Sequence, residues 1–557
     1  MTSIPNILPF RETILLVAGA GLLCHLVYKK TETHEPSHAV VLLLVLPLCF
    51  APFVVQHVRG IVEGVLITLF IYWTTLLSSV VAYRLSPWHP LAQYPGPLGC
   101  KVTKFWCALI ALGGKQHVYY SELHKRYGDV VRVGPNELSV RDVNMVVPLM
   151  GPSGLPKGPF WDGRIPEKEI IRPMISIRNK ADHTRRRRPW TRAFSTTALK
   201  DYEEIITRRS TQLVEHLGNQ KGVIDLAQWI AYFSYDFSND LAFGGGSEMM
   251  RHGDVNGLWH ILEEGQVHAI FMSHVPWLGA LAFRYPMFVK EFKAFRSYAQ
   301  NRGIMRHKLG SQFRDLYHHL MDEGDVATTK PTIAEAVSDG GLAIIAGSDT
   351  TSTALANMFF FLLSNPDTYR RLQAEIDSLG EDIMDYNKQP HLPYLSGAIN
   401  ESLRLYPPVL SGSQRAVGRG TSGQQIGPYY VAEGTSVFIP TYSLHRDPRY
   451  FSPLPDGFVP ERWLGRDQQI KLRPDLFKSE SAVNHIVDAF IPFSLGPSGC
   501  VGKTLAWMEM RMVTCLLFHN FEMELEKGYD VNAWHLDICD YFVMKKGKLP
   551  IKLSPRR

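Results

Sequence analysis

The chain has 557 residues, and its 59 basic side chains against 53 acidic ones leave a formal net charge of only +6, so composition gives nucleic-acid binding no support. Seven cysteines (Cys24, Cys49, Cys100, Cys107, Cys500, Cys515 and Cys539) show neither paired zinc-ligand spacing nor the density of a disulfide scaffold. No internal repeat is evident, so one large domain with an N-terminal extension fits the length, in a reducing setting.

The extension comes first. Apolar runs occupy 14–28, 39–55 and 65–83, separated by the charged stretch around Lys29-Lys30 and by Gln56-His57-Val58-Arg59. A membrane-crossing helix needs about 20 apolar residues, and the third run meets that length. The second carries Pro47 and Pro52, so a hydrophobic hairpin in the interface is its alternative. The first is shorter and contains His25. A cleaved signal peptide is its alternative, but Arg11-Glu12 precede it and no small-residue cleavage site follows. Residues 1–84 are therefore expected to be a membrane anchor. Lys29-Lys30 place the first loop on the cytoplasmic side, and an odd number of spans puts the large domain there too. Pro87, Pro90, Pro95 and Pro97 make 85–98 a stiff hinge that holds the entrance of the domain 99–557 near lipid.

Farther along, the run from Ala181 to Phe194 packs Arg185, Arg186, Arg187, Arg188 and Arg192 around His183 and Trp190. Most of such a run is expected on the surface. From Thr332 the pattern predicts one long helix, opened by a Thr332/Glu335 capping box and closed near Asn365-Pro366. Inside it, Gly340-Gly341, Gly347 and the oxygen-bearing run Ser348-Asp349-Thr350-Thr351-Ser352 predict a kink or a widened turn. Glu401 and Arg404 lie three apart on a helix ended by Pro407-Pro408, so they project from one face.

Phe493-Ser494-Leu495-Gly496-Pro497-Ser498-Gly499-Cys500-Val501-Gly502 surrounds one cysteine with turn-forming residues, and good helix formers follow from Lys503. A sulfur presented just ahead of a helix N-terminus is expected to favour the thiolate. A buried structural cysteine in a glycine-rich turn is the plain alternative.

The spacing F-x-x-G-x-x-x-C-x-G resembles the haem-binding loop of the cytochrome P-450 superfamily. Ala346-Gly347-Ser348-Asp349-Thr350-Thr351 resembles the family's oxygen-activating motif, Glu401-Ser402-Leu403-Arg404 its E-x-x-R, and Pro460-Glu461-Arg462-Trp463 its P-E-R-W segment. They occur in the family's order, and the resemblance covers roughly residue 85 onward. It implies a mainly α fold with small β-sheets (α+β) around haem b, with Cys500 as axial ligand of the iron and Phe493 and Gly496 shaping its loop. It further implies Thr350 and Asp349 as the acid–alcohol pair that moves protons, and Glu401, Arg404 and Arg462 as a structural triad. The arginine run resembles the family's W-x-x-x-R helix, with His183 at the tryptophan position and Arg187 at the arginine; with Arg415 they are expected to bind the haem propionates. Ser498 departs from the pattern, standing where many relatives carry Arg or His against a propionate.

The resemblance therefore implies an endoplasmic-reticulum monooxygenase whose catalytic domain faces the cytosol and which oxidises a hydrophobic organic molecule. No Gly-rich dinucleotide fingerprint stands out in a strand–turn–helix context. Electrons are thus expected from a separate NADPH–cytochrome P-450 reductase, with cytochrome b5 as a further donor. The three-span anchor and the phrase Tyr83-Arg84-Leu85-Ser86-Pro87-Trp88 look like fungal members, which suggests secondary metabolism, for example of terpenoids, or xenobiotic oxidation. A haem-thiolate isomerase or dehydratase and a non-enzymatic haem-binding membrane protein are the alternatives. Neither needs the pair Asp349-Thr350.

Overall fold

The computed structural model describes residues 8–31, 36–165, 171–310, 313–326, 330–479 and 483–556. Helices dominate and the strands are short, as the mainly α expectation has it. A four-stranded sheet orders Val130–Gly134, Glu137–Val140, Ser436–Phe438 and Arg415–Ala416 side by side; the middle pair is parallel and the outer pairs antiparallel. A three-stranded sheet joins Phe521–Leu525, Pro550–Pro555 and Val223–Asp225, and a hairpin pairs Cys539–Tyr541 with Val543–Lys545.

Three N-terminal helices, Phe10–Lys30, Ser37–Val55 and Ile61–Leu85, are long and apolar enough to cross a membrane. Each extends beyond the apolar run that announced it, except at the C-terminus of the second. The extra turns at the first and third carry Glu12 and Glu63 at N-termini and Lys29, Lys30 and Arg84 at C-termini, where charge complements the helix dipole. The prolines of the second run do not break it. Pro47 lacks the N–H that would bond Leu43 O, and Trp73 Nε1 on the third helix donates to that carbonyl instead, at 2.9 Å. Tyr72 Oη donates to Leu42 O beside it at 2.7 Å, within a π-helical stretch Val41–Val45. Backbone groups surrounded by hydrocarbon need partners supplied by protein, and these two rings supply them. His25 Nδ1 similarly lies 2.6 Å from Ser79 Oγ. Residues 32–35 of the charged first loop lie outside the described residues.

The hinge runs against the first sheet. Arg132 N donates to Pro95 O at 2.8 Å, and the buried Arg132 guanidinium reaches Pro135 O and, at 3.0 Å, Arg84 O at the end of the third apolar helix. Arg84 Nη1 in turn donates to Val102 O at 2.6 Å. The connector is therefore bonded to the domain at both ends as well as stiffened by proline.

At the centre lies the helix Ile333–Leu363, opened by the expected Thr332/Glu335 capping box. Residues 351–362 are buried without exception, so the helix is apolar all round there rather than striped. Phe360 stacks on Trp534 at 5.0 Å between ring centroids and Phe361 on Phe458 at 4.8 Å. The helix is α-helical from end to end, without the widened turn that was one of the two expectations. Its polar side chains turn back on their own backbone: Ser348 Oγ donates to Ile344 O at 2.6 Å and Ser352 Oγ to Asp349 O at 3.1 Å. Gly340 serves packing rather than bending, since a Cβ there would lie 2.4 Å from Phe243 Cζ on the neighbouring helix Leu226–Phe243.

Candidate functional site

A cavity of about 950 Å3 lies between the long helix and the loop that precedes the helix Lys503–Asn520, and apolar side chains dominate its walls. Cys500 opens onto it. The loop that carries the sulfur is fixed by its own backbone: Cys500 N donates to Phe493 O, and Gly499 N to Gly496 O, both at 2.8 Å. Gly496 has φ +68°, and a Cβ there would lie 2.1 Å from Met150 O, so the turn needs glycine on both counts. Phe493 flanks the loop, with Lys503 Nζ 5.8 Å from its ring centroid. Although Cys500 is reached through the cavity, burial pushes its thiol up from its ordinary range, against the lowering pull of the Gly502 N–H and of Arg187 and Lys503. Desolvation thus works against the thiolate that the helix position favours. A bound metal ion would supply the missing charge.

Thr350 lines the same cavity from the long helix, next to Ala346 and Ala354. Its hydroxyl donates to Ala346 O at 2.6 Å, which leaves the oxygen lone pairs as acceptors. Asp349, one residue earlier, projects elsewhere and is not part of the cavity wall. Burial pushes its carboxyl up to about 6; Lys546 draws it down and Glu263 adds to the rise. Lys546 itself sits 3.4 Å from the hydroxyls of Ser352 and Thr353.

Four basic side chains, His183, Arg187, Arg415 and Lys157, gather in one electrostatic cluster at this cavity. His183, buried, and Arg187, half-buried, line the cavity; Arg415 is buried too but is not part of the cavity wall. The fourth, Lys157, had no signal of its own in the sequence. It is 7% exposed, donates to Met174 O at 3.2 Å and to Ile175 O at 2.6 Å, and pairs with Arg415 across an isolated β-bridge. Burial, then Arg415 and Arg187, push the Lys157 ammonium down to about 7, and burial, then Lys157, Arg187 and Arg415, hold His183 near 4. Arg415 falls to about 10 by burial, and its Nε has no hydrogen-bond partner among the described residues. Clustered cations with an orphaned donor are a receptor for anions. Ser498 also faces this cavity.

Arg186 corrects the surface assignment of its run. Its register along the helix Lys180–Ala193 turns it inward with His183 and Trp190, and its Nη2 lies 2.8 Å from Asp339 Oδ2. Trp190 Nε1 and Met174 N donate to the same carboxylate at 3.2 and 2.8 Å, which locks this helix to the long one. Arg185 and Arg188 remain exposed, and Arg192 reaches Asp322 at 3.0 Å.

Behind the cavity, Glu401, Arg404 and Arg462 meet in full burial. Arg404 Nε and Nη2 each donate to the Glu401 carboxylate at 2.8 Å, and Arg404 Nη1 donates to His445 O at 2.8 Å. The same carboxylate accepts from Val459 N at 3.0 Å, Trp463 Nε1 at 2.9 Å and Arg462 Nε at 3.4 Å. Burial works to raise Glu401, but Arg404, Arg462 and Trp463 outweigh it and hold the carboxyl at about 2. Trp463 is the member of this network that the motif comparison left unassigned.

The family model described as Cytochrome P450 matches residues 95–551. The chain is 34% identical over 478 residues, 84% of its length and 81% of the relative's, to the cytochrome P450 monooxygenase FCK2 of Fusarium pseudograminearum (strain CS3096). It is 32% identical to cytochrome P450 67 of Uromyces fabae, over 88% of this chain and 91% of that one. It is 30% identical to tryprostatin B 6-hydroxylase of Aspergillus fumigatus, over 89% of this chain and 86% of that one.

Proposed function

The chain belongs to the cytochrome P450 family and is a haem-dependent monooxygenase, and we propose that it inserts one oxygen atom of dioxygen into a hydrophobic metabolite within the 950 Å3 cavity, reducing the other to water. The observation that carries this reading is that Cys500 and Thr350 open onto one apolar chamber. The fungal relatives favour secondary metabolism, with terpenoids and xenobiotics as candidate substrates. Electrons would come from an NADPH-dependent reductase, with cytochrome b5 as an additional donor, at the endoplasmic reticulum and on its cytosolic side. The three apolar helices fit such an anchor. A reduced carbon-monoxide spectrum with the band of thiolate ligation, together with NADPH-dependent uptake of one labelled oxygen atom per product, tests the reading. A histidine-type band or product without label overturns it.

When bound through Cys500, haem supplies oxygen activation, since a thiolate ligand donates the electron density that favours O–O cleavage. The chain's residues do the rest. Lys157, Arg187 and Arg415 would neutralise the propionates, and His183, neutral near pH 7, would orient one by a hydrogen bond. Thr350 Oγ1, its hydrogen committed to Ala346 O, would accept from a water and hold it beside the reacting centre. Asp349, poised near neutrality on the side of Lys546 and Glu263, would take up protons there and hand them around the helix. Thr350→Ala is expected to leave haem binding intact but to cut product formed per NADPH consumed by roughly tenfold or more. The lost electrons would appear as peroxide or water; undiminished coupling removes Thr350 from this role.

Lys157 would also stand in for the cation missing at Ser498. Lys157→Ala is expected to speed haem transfer to apomyoglobin by about tenfold, the loss of one buried charge-assisted contact. Adding Ser498→Arg should restore most of the retention. A transfer rate unchanged in Lys157→Ala excludes it from the cradle.

A further inference from the structure

Arg164 is a cation on the cavity wall that the propionate cradle does not account for. Arg164 ends the short helix Phe160–Arg164 and is 8% exposed. Its guanidinium sits in an aromatic box, with Cζ 5.2 Å from the Phe160 ring centroid, 5.6 Å from Trp161 and 5.3 Å from Phe542. Phe542 reaches that position from the tip of the C-terminal hairpin at φ +88°, a left-handed conformation that costs free energy for a bulky side chain. Arg164 Nε donates to Ser273 Oγ at 2.7 Å, Nη1 to Gln266 Oε1 at 2.7 Å and Nη2 to Tyr541 O at 2.9 Å. All three acceptors are neutral. Among the described residues no carboxylate lies within ion-pair distance of Arg164, and two of its five N–H groups have no protein partner.

A buried guanidinium with no directly paired carboxylate is costly; burial lowers its pKa to about 9 while the Asp540 carboxylate nearby pulls the other way, and it stays charged near neutrality. Gln266, also on the cavity wall, spends its carbonyl oxygen on Arg164 and so turns its amide donors to other partners. The wall around this pair is apolar, with Trp161, Ile165, Ala269 and Met272. The geometry points to Arg164 as a specificity-determining residue that receives the carboxylate of an otherwise apolar substrate, assisted by Gln266. Two unspent N–H groups, one on Nη1 and one on Nη2, match a carboxylate better than a single ketone or hydroxyl. The substrate class is then a large hydrophobic monocarboxylic acid, held by its acid end while its hydrocarbon body extends through the chamber. This inference rests on the proposal that the cavity is the substrate chamber.

The test uses the full-length haem-loaded protein in detergent micelles and matched probes: palmitic acid against methyl palmitate, and dehydroabietic acid against its methyl ester. Binding is read as the haem spectral shift near neutral pH. At least one acid is expected to bind about tenfold or more tightly than its ester, a difference of about 1.4 kcal/mol. Arg164→Gln should bring the pair to within about twofold, Arg164→Lys should recover part of the preference, and Arg296→Gln, another cation on the cavity wall, should leave it unchanged. Because Arg164 also joins three elements, each variant is first shown to keep the carbon-monoxide band. Equal binding of acids and esters, a preference surviving Arg164→Gln, or no response to any acid overturns the assignment. A missing thiolate band in the wild type instead overturns the haem-thiolate reading beneath it.

Discussion

Replacing Cys500 with serine is expected to abolish monooxygenase activity while leaving the polypeptide folded. The loop is held by main-chain bonds, Cys500 N to Phe493 O and Gly499 N to Gly496 O, and by the contact of Gly496 with Met150 O, none of which involves the sulfur. Serine has nearly the same shape and keeps all of them. What it removes is the soft anionic ligand: a hydroxyl is far harder to deprotonate than a thiol, and burial already works against charge at this position. Product formation should fall by at least about a thousandfold, equivalent to roughly 4 kcal/mol of activation free energy. The reduced carbon-monoxide spectrum should lose its thiolate band. Cys500→His sharpens the test, because an imidazole can hold the iron yet gives a different ligand field. A histidine variant that retained haem but not oxygen insertion would separate cofactor binding from cofactor chemistry. If Cys500→Ser kept product formation within about tenfold of wild type, the axial ligand would have to lie elsewhere.

What could be read from the sequence divides along a physical line. Cys500, Thr350, Glu401 and Arg404 sit in short local patterns whose spacing carries the information, and the structure brings Cys500 and Thr350 to one cavity and joins Glu401 to both arginines. Where a residue's role depends on which face another element covers, the sequence was mute. Arg186 looked like one more surface arginine because the partner that buries it, Asp339, lies 153 positions away. Lys157 stands in an irregular stretch between Pro156 and Gly158 that has no periodicity, so nothing marked it as an inward-facing cation; a lone lysine among turn residues was the available hint. The expected widened turn in the long helix is absent for a related reason. Helix-weakening glycines and hydroxyls were counted locally, whereas Gly340 answers to Phe243 on another helix and the hydroxyls find their own carbonyls. Pro47 is the counterpart among the N-terminal apolar helices, where a distant Trp73 repairs what a local rule calls broken.

Glu401→Gln should prevent recovery of folded, haem-loaded protein, although glutamine has the size and shape of the residue it replaces. The Glu401 carboxylate accepts from Arg404 twice, from Arg462, from Trp463 Nε1 and from Val459 N, so one fully buried anion satisfies five donors. An amide offers one acceptor oxygen and turns an N–H2 group toward two guanidinium ions. Removing one member of a buried ion network costs about 3–5 kcal/mol, because the remaining charges stay buried without compensation. That is a large part of the stability of a typical domain. Acid should produce the same failure in the wild type. Glu401 titrates near 2 in the fold against an ordinary 4.5, so its stabilising contribution is complete above about pH 4.5 and lost as pH falls toward 2. The difference is on the order of 3 kcal/mol, and loss of the haem Soret band against pH would follow it. His485, facing the same cluster and held near 4 by burial and then by Arg462, gains charge in the same window and adds to the repulsion. The decisive comparison is the triple replacement Glu401→Met, Arg404→Met, Arg462→Leu. A buried network replaced as a whole by apolar residues can fold where a broken one cannot. Haem incorporation restored in the triple variant would show that the single variant fails through uncompensated charge. If Glu401→Gln incorporates haem like the wild type, the carboxylate's charge is not what holds this cluster.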